Sequence, residues 1–297
     1  MKVLLTGSHG LIGSALHPAL RKAGYCVNRL VRSGEDRSGD QFRWEPLTGQ
    51  LDLAAFEGVE AVVHLAGENV AQRWTPQAKQ RIVSSRTVST RLLVDTMARL
   101  STPPSVFIAA SAIGYYGDRG DEELLEDSSP GGDFLAEVCY NWESAAAVAE
   151  HQGIRTVRLR IGVVLSRRGG ALARMLTPFR MGLGGRIGSG AQYMSWIAID
   201  DLVAAILHVL ANPQLRGPVN AVSPHPVTNR EFTETLGTVL RRFTIIPLPG
   251  FVVTLAFGEM GRELLLSSTR VLPAKLKRSN FQFQYSFLGP ALRKLLT

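Results

Sequence analysis

A glycine-rich turn near the start of the chain constrains the fold more than any other feature. The segment MKVLLTGSHGLIGSAL (1–16) places Gly7, Gly10 and Gly13 three residues apart, after a short apolar run and before residues with helical apolar spacing. A strand, a glycine turn and a helix in this order bring bare backbone N–H groups and the positive end of a helix dipole to one point. The arrangement favours an anion such as a dinucleotide pyrophosphate. The alternative is a glycine turn required only for tight packing.

Each glycine has its own expected role. Gly7 permits the sharp turn, Gly10 permits close approach of a pyrophosphate, and Gly13 permits the helix to pack on the strand. We therefore expect cofactor contacts from the residues of the turn and of the first helical turn, namely Gly7, Ser8, Gly10, Leu11, Ile12 and Gly13.

Short β-rich runs alternate with helical stretches through the first half of the chain. The predicted strands cover 2–6, 25–31, 60–66, 105–110 and 155–162. The predicted helices cover 11–24, 86–100 and 134–153, and Gly24 is a plausible C-cap of the first. This alternation predicts parallel βαβ units, and hence a Rossmann-type α/β fold with a doubly wound parallel sheet.

The composition of the chain changes after about residue 165, where glycine becomes frequent. We predict a nucleotide-binding Rossmann domain over 1–165, completed by about 196–223. The segments 166–195 and 224–297 then form a smaller, mostly helical C-terminal substrate cap.

Composition narrows the functional class. Cys26 and Cys139 lie outside any CxxC or Cys/His spacing, so we expect no metal site, no disulfide and a cytoplasmic location. The apolar run 251–257 is too short to span a bilayer, and we expect no membrane partner. The net charge of +8 suits an anionic cofactor or substrate. Because the basic residues are scattered, we expect no nucleic-acid partner.

Several motifs resemble those of the extended, epimerase-like short-chain dehydrogenases/reductases. TGSHGLIG (6–13) is similar to the family's entry motif. Four more segments resemble family motifs in the same order, VVHLAGE (62–68), AASAIGYYGD (109–118), GSGAQYMSWIAIDDLVAAI (188–206) and GPVNAVSPHPVTNREF (217–232). The segments AGENVAQRWT (66–75) and LTPFRMGLGG (176–185) are most similar to an atypical branch, called epimerase family proteins, that ends in a domain of unknown role.

The resemblance implies further cofactor contacts. The loop after the fourth predicted strand would line the cofactor through the backbone of Leu65, Ala66, Gly67 and Glu68. Gly162 and Val163 would pass near the nicotinamide. Arg86 would reach the cofactor or a bound anion, or would instead cap a helix face. A homodimer through the helices 86–100 and 134–153, as in relatives, stays open.

The end of the second predicted strand decides which dinucleotide is expected. NAD-specific sites place a carboxylate there to bind the ribose 2′-hydroxyl, whereas this strand ends with Val31 and Arg32. An arginine binds a 2′-phosphate in a two-pronged contact. We therefore expect NADP(H), with Arg29 and Arg37 nearby. The alternative is a solvated Arg32, with Glu35 turning in to bind NAD.

The catalytic pair of the family is missing. Its tyrosine and lysine stand as YxxxK on the helix after the serine strand, and alignment on Trp142–Glu143 places Leu135 and Cys139 there. The remaining candidates for acid–base work are Ser111, Tyr115 and Tyr116. Packing is the alternative role for Tyr116, a small buried residue is the alternative for Cys139, and His64 is expected to be a satisfied core histidine.

The substrate segment also departs from the pattern of nucleotide-sugar epimerases. No arginine stands in GAQYMSWI (190–197), where such enzymes bind a diphosphate. Gln192, Tyr193 and Trp196 suggest a smaller or flatter substrate. The leading interpretation is an NADP-dependent oxidoreductase or epimerase on a small molecule. The rival is a non-catalytic NADP(H) sensor or scaffold.

Overall fold

A parallel sheet forms the centre of the molecule. The computed structural model describes residues 1–32 and 39–297. Its strands are β1 (Lys2–Thr6), β2 (Cys26–Val31), β3 (Gln41–Glu45), β4 (Gln50–Leu51), β5 (Ala61–His64), β6 (Val106–Ala112), β7 (Glu123–Leu124), β8 (Arg155–Ile161), β9 (Val163–Leu165), β10 (Tyr193–Met194), β11 (Trp196–Ala198), β12 (Gly217–Ala221), β13 (Val227–Thr228) and β14 (Arg270–Val271). Within the described residues, eight of them form one sheet in the order β12-β8-β6-β5-β1-β2-β3-β4. All neighbours pair in parallel except β3 and β4.

Helices cover both faces of the sheet. They are α1 (Leu11–Lys22), α2 (Pro76–Ala98), α3 (Phe134–Ala147), α4 (Gly170–Arg180), α5 (Ile199–Ala211), α6 (Asn229–Leu240), α7 (Gly250–Gly261), α8 (Ala274–Arg278) and α9 (Leu288–Leu296). A π-helical turn, Arg262–Leu266, follows α7 directly. The predicted doubly wound Rossmann-type α/β fold is confirmed.

The helix boundaries follow from local chemistry. The Thr75 hydroxyl accepts a hydrogen bond from the Ala78 N–H, and Pro76 fills the first helical position, so α2 begins ten residues earlier than its apolar spacing predicted. Asp133 caps α3 in the same way, through Ala136. Gly24 has a φ of 85°, which ends the turn after α1 as expected of a glycine.

Two apolar layers hold the helices against the sheet. On one face, Leu16 of α1 and Leu202 of α5 are buried against Val3 and Leu5. On the other face, Leu93 and Met97 of α2 pack with Phe107 of β6 in a separate cluster. Each such side chain contributes about 1.5–3 kcal/mol when fully buried.

The later segments build a third cluster and also complete the first. Leu172, Phe232 and Leu292, from α4, α6 and α9, pack around Trp196. Leu276 and Phe281 instead join the core of the main sheet. The predicted division into a domain over 1–165 with 196–223 and a cap over 166–195 with 224–297 stays a prediction.

Candidate functional site

The glycine turn has the geometry that its spacing predicts. Gly7 has a φ of 70°, which disfavours a side chain. A Cβ on Gly13 would lie 2.1 Å from the Gly7 carbonyl oxygen, so only glycine allows α1 to pack this closely on the turn. The Gly10 N–H donates to the Gly7 carbonyl at 3.0 Å and closes the turn. The turn therefore needs glycine at both ends.

The turn offers donors to an anion. Gly10 occupies the N-cap of α1 and supplies no side chain, so the first helical amides, those of Leu11, Ile12 and Gly13, have no cap bond from it. The hydroxyl of Ser8 is buried and has no hydrogen-bond partner among the described residues. A buried hydroxyl without a partner is costly, and a phosphate oxygen would satisfy it.

A buried hydrogen-bond chain fixes the neighbouring loop. Thr6 Oγ1 accepts from the N–H groups of Leu65 and Ala66, at 3.2 and 3.3 Å. Its own proton therefore goes to His64 Nδ1, 2.7 Å away, which leaves His64 Nε2 to donate to Thr90 or to Ser89. Burial lowers the pKa of His64 to about 3, so the ring is neutral. The histidine is a satisfied core residue, as predicted.

A cavity of about 480 Å³ opens beside the turn. The predicted cofactor residues on its wall are Gly7, Ser8, Gly10, Val31, Arg32, Leu65, Ala66, Gly67 and Glu68. Residues that sequence reasoning did not assign also line it, namely His9, Leu30, Trp44, Glu45, Pro46, Leu47, Arg81, Ser84, Ser85 and Ser89. Four of these, residues 44–47, come from the short hairpin β3–β4, which has no distinctive motif. The volume is within the range of ligand sites.

The strand-end arginine is on the cavity wall and exposed. Arg32 follows the last residue of β2, where the sequence predicts a contact to a 2′-phosphate. Arg29 instead bonds Asp40 through Nη2 at 2.8 Å. Glu35 and Arg37 lie outside the described residues.

Arg86 turns inward. Its guanidinium donates to the carbonyls of Ile82 and Glu68 at 3.0 and 2.9 Å and lies 5.0 Å from the centre of the Trp142 ring. Burial lowers the pKa of Arg86 from its ordinary value. These contacts hold the loop at Gly67 and Glu68 in place against α2. A direct cofactor contact by Arg86 stays a prediction.

A second, smaller cavity of about 140 Å³ lies at the end of β6. Val163, Tyr193, Leu135 and Gly114 are among the residues that line it. A cavity of this size accommodates a molecule about as large as benzene. Gly162 packs closely on Ser195, because a Cβ there would lie 2.7 Å from the Ser195 carbonyl oxygen. The approach of Gly162 and Val163 to the nicotinamide stays a prediction.

Of the three predicted substrate residues, Tyr193 lines this cavity, while Gln192 and Trp196 lie inside the protein. Gln192 Nε2 donates to the carbonyls of Ile187 and Leu265. Trp196 is fully buried and donates through Nε1 to the His225 carbonyl. The structure therefore brings only Tyr193, of the three, to the described cavity wall.

The predicted catalytic residues also point into the interior. Ser111 Oγ donates to Glu143 Oε1 at 2.7 Å, and Arg160 holds the same carboxylate through Nε and Nη2, at 2.7 and 2.9 Å. Ser111, Glu143 and Arg160 are all buried. Among the described lining residues of the two cavities, Ser111 is absent. Its hydroxyl serves a buried ion pair.

The two tyrosines extend this buried network. Tyr116 is fully buried, and its hydroxyl accepts a hydrogen bond from Arg160 Nη1. The same hydroxyl lies within hydrogen-bond distance of two acceptors, Asn220 Oδ1 and the Leu125 carbonyl, to which it donates its proton. Burial raises the pKa of Tyr116 to about 12. The Tyr115 ring lies 3.5 Å from the Arg160 guanidinium carbon. Neither tyrosine is on the described wall of either cavity, and for Tyr116 this position corresponds to the packing alternative.

Two carboxylates face the smaller cavity. Asp133 caps α3, and Glu263 Oε2 accepts from the Leu135 N–H at 3.0 Å. Burial raises the pKa of each carboxyl. The placement of Leu135 and Cys139 at the positions of the family's tyrosine and lysine stays a prediction. Burial raises the pKa of the Cys139 thiol to about 12. A sequence search confined to α3 could not find Glu263, which comes from 128 residues later in the chain.

Two absences hold for the described ranges 1–32 and 39–297. No group of three or more His, Cys, Asp or Glu residues there could hold a metal ion. No helix there is both long and apolar enough to cross a membrane.

Comparison of this chain with known protein families and structures identifies its family. The profile of the NAD dependent epimerase/dehydratase family matches residues 3–222. The chain belongs to this family. A domain of unknown function, DUF1731, matches residues 248–295. The resemblance inferred from the glycine turn and the later motifs is confirmed.

Individual relatives span nearly the full chain. Epimerase family protein Mb2239 of Mycobacterium bovis is 45% identical over 291 residues, covering 98% of this chain and 96% of that protein. The crystal structure of human epimerase family protein SDR39U1 (isoform 2) with NADPH has a TM-score of 0.90 at 34% identity and covers 99% of both chains. The UDP-glucuronic acid 4-epimerase of Bacillus cereus, solved with NAD, has a TM-score of 0.78 at 19% identity over 99% of this chain and 96% of its own, which shows a shared fold.

Proposed function

We propose that this protein is an NADP(H)-binding oxidoreductase or epimerase that acts on a small molecule. One observation carries the proposal: the 480 Å³ cavity joins the glycine turn, the buried hydroxyl of Ser8 and the exposed guanidinium of Arg32. The human relative was solved with NADPH, which supports the same cofactor here.

The residues of the cavity fit the parts of NADP(H). The amides at the start of α1 and the Ser8 hydroxyl would hold the pyrophosphate. Arg32 would pair with the 2′-phosphate, and the backbone from Leu65 to Glu68 would lie along the cofactor. When bound, the cofactor supplies hydride transfer.

The smaller cavity would hold the substrate. Its size favours a molecule without an extended nucleotide, and Tyr193 offers an aromatic wall. Asp133 and Glu263 replace Ser111, Tyr115 and Tyr116 as our candidates for acid–base work, because they face this cavity and their pKa values are raised. Both carboxylates also accept from amides of the first turn of α3, and Glu263→Gln is the milder test because the Gln amide oxygen can still accept from the Leu135 N–H.

A non-catalytic NADP(H) sensor or scaffold is the second candidate. The observation that favours it is the burial of Ser111 and Tyr116, which leaves the usual hydride chemistry of the family without its hydroxyl groups. Turnover separates the two candidates.

A calorimetric titration with NADPH and NADH tests the cofactor assignment. Replacing Arg32 with Ala removes a charge-assisted contact and is expected to weaken NADPH binding about tenfold or more while leaving NADH nearly unchanged. Arg43→Ala, at another exposed arginine of the same sheet edge, is the control. Equal losses for both nucleotides would refute the 2′-phosphate contact.

A screen of carbonyl compounds, followed at 340 nm, tests the catalytic assignment. With any active substrate, Glu263→Gln is expected to lower kcat about 100-fold or more, the usual scale of a lost general acid or base. The exposed Glu137 of α3 provides the control Glu137→Gln. An unchanged kcat would exclude Glu263, and NADPH binding without turnover on a broad panel would favour the sensor.

A further inference from the structure

A group of large apolar side chains is exposed on the C-terminal part of the molecule. This apolar patch consists of Met181, Leu183, Phe243, Ile245, Ile246, Phe251 and Leu255. The exposed fractions of Phe243, Phe251 and Leu255 are 83%, 74% and 85%. Side chains this exposed protrude from the surface, and a cluster of them marks an interaction site.

Backbone hydrogen bonds bring the parts of the patch together. The Leu248 N–H donates to the Arg186 carbonyl, and the Gly188 N–H donates to the Leu248 carbonyl, both at 2.8 Å. The segments 180–188 and 242–248 therefore run side by side. Helix α7 begins two residues later, and Phe251 and Leu255 lie one turn apart on its outer side, opposite the buried Val253.

Arginines lie on the segments that carry the patch. The segments 176–192 and 235–258 contain no aspartate or glutamate, and their arginines are Arg180, Arg186, Arg241 and Arg242. Within the described part of the chain, none of these four forms an ion pair. The charge is thus available to an anionic partner.

A polar cavity of about 270 Å³ lies at the edge of the patch. Its walls are formed by Arg186, Arg230, Thr233, Glu234, Thr244, Ile245 and Pro247. The two guanidinium groups outnumber the single Glu234 carboxylate, so with the two hydroxyl groups they suit a phosphate. Ile245 connects this cavity to the apolar patch.

We propose that this face docks on an anionic phospholipid bilayer. The apolar patch would enter the boundary between headgroups and acyl chains, the arginines would meet the negative surface, and the cavity with Arg186 and Arg230 would hold a lipid phosphate. A symmetric contact between two copies would place the arginines of one copy against those of the other. The proposal departs from the expectation of no membrane partner, which rested on the lack of a spanning segment, and it is independent of the proposed enzyme activity.

Vesicle co-sedimentation tests the proposal. The full chain is mixed at low salt with vesicles of phosphatidylcholine alone, or of phosphatidylcholine with phosphatidylglycerol. Binding is expected only to the vesicles with phosphatidylglycerol, and it is expected to weaken as salt is raised. The double variant Phe251→Ser, Leu255→Ser is expected to lower the partition coefficient about tenfold or more, because it removes both inserted side chains. Arg180→Gln with Arg241→Gln is expected to lower it about tenfold.

Matched controls separate this face from a general surface effect. Leu53→Ser removes a leucine that is 64% exposed, and Arg91→Gln removes an exposed arginine of α2. Both are expected to bind vesicles as the natural chain does, and circular dichroism confirms that every variant is folded. Failure of the natural chain to sediment, or equal losses in the controls, would overturn the proposal. So would a dimer in light scattering that Phe251→Ser, Leu255→Ser dissociates, since a second copy would then cover the patch.

Discussion

Acidification is expected to destabilise the protein through one buried ring. His64 has a pKa of about 3 in the folded chain, because burial disfavours its charged form, and a pKa near 6.5 when the chain is unfolded. Between these values the unfolded chain binds a proton that the folded chain does not. The contribution of His64 to the free energy of unfolding is therefore complete above pH 6.5 and is lost as the pH falls toward 3.

The expected loss follows from the size of the shift. Each pH unit within this window changes the free energy of unfolding by about 1.4 kcal/mol per group. Lowering the pH from 7 to 5 crosses about 1.5 units of the window, which costs about 2 kcal/mol. Protonation would also break the bond from Thr6 Oγ1 to His64 Nδ1, and thereby release the loop at Leu65 and Ala66.

Urea unfolding at pH 7 and pH 5 measures this loss. The variant His64→Gln keeps hydrogen-bonding capacity and has no group that titrates here, so its loss between the two pH values is expected to be about 2 kcal/mol smaller than that of the natural chain. Buried carboxyls such as Asp201 titrate in both proteins and cancel in this difference. His151→Gln, at an exposed histidine, is expected to leave the loss unchanged. Equal losses in the natural chain and in His64→Gln would refute the reasoning.

Two further substitutions test the site. Gly13→Ala places a methyl group against the Gly7 carbonyl, so it is expected to cost about 1–3 kcal/mol of stability and to weaken NADPH binding. Gly132→Ala is the control, because a Cβ there meets nothing within 4 Å, and it is expected to change neither property. Chemical denaturation measures the stability and calorimetry the binding, and an unaffected Gly13→Ala would contradict the assigned packing. Tyr116→Phe removes a buried hydroxyl and leaves its partners, including Arg160, unsatisfied. It is expected to lower the free energy of unfolding by about 1–3 kcal/mol, while the folded enzyme keeps its kcat. Loss of kcat without loss of stability would restore Tyr116 as a catalytic residue.

The fold could be predicted because its signals are local. The turn from Gly7 to Gly13 and the buried strand Ala61–His64 have the spacing and composition that the structure requires. The start of α2 was missed because Thr75 and Pro76 define it by capping, while the apolar spacing begins later.

The candidate site could be predicted only on its cofactor side. Backbone amides and glycines act through local conformation, which a motif specifies. Ser111 and Tyr116 stand in a family motif, but their partners, Glu143 and Arg160, come from distant segments. Whether a hydroxyl faces a cavity or a buried ion pair depends on those partners. For the same reason, no local pattern marked Glu263.

The placement of Leu276 and Phe281 in the core of the main sheet affects how the chain matures on the ribosome. Synthesis completes β1 and its glycine turn first, yet the face of the sheet that carries α1 and α5 lacks these side chains until the last segments emerge. A nascent chain that ends near residue 222 would expose part of that apolar face to chaperones and to other nascent chains. We therefore expect residues 248–295, which supply Leu276 and Phe281, to be needed before this face of the sheet is fully buried.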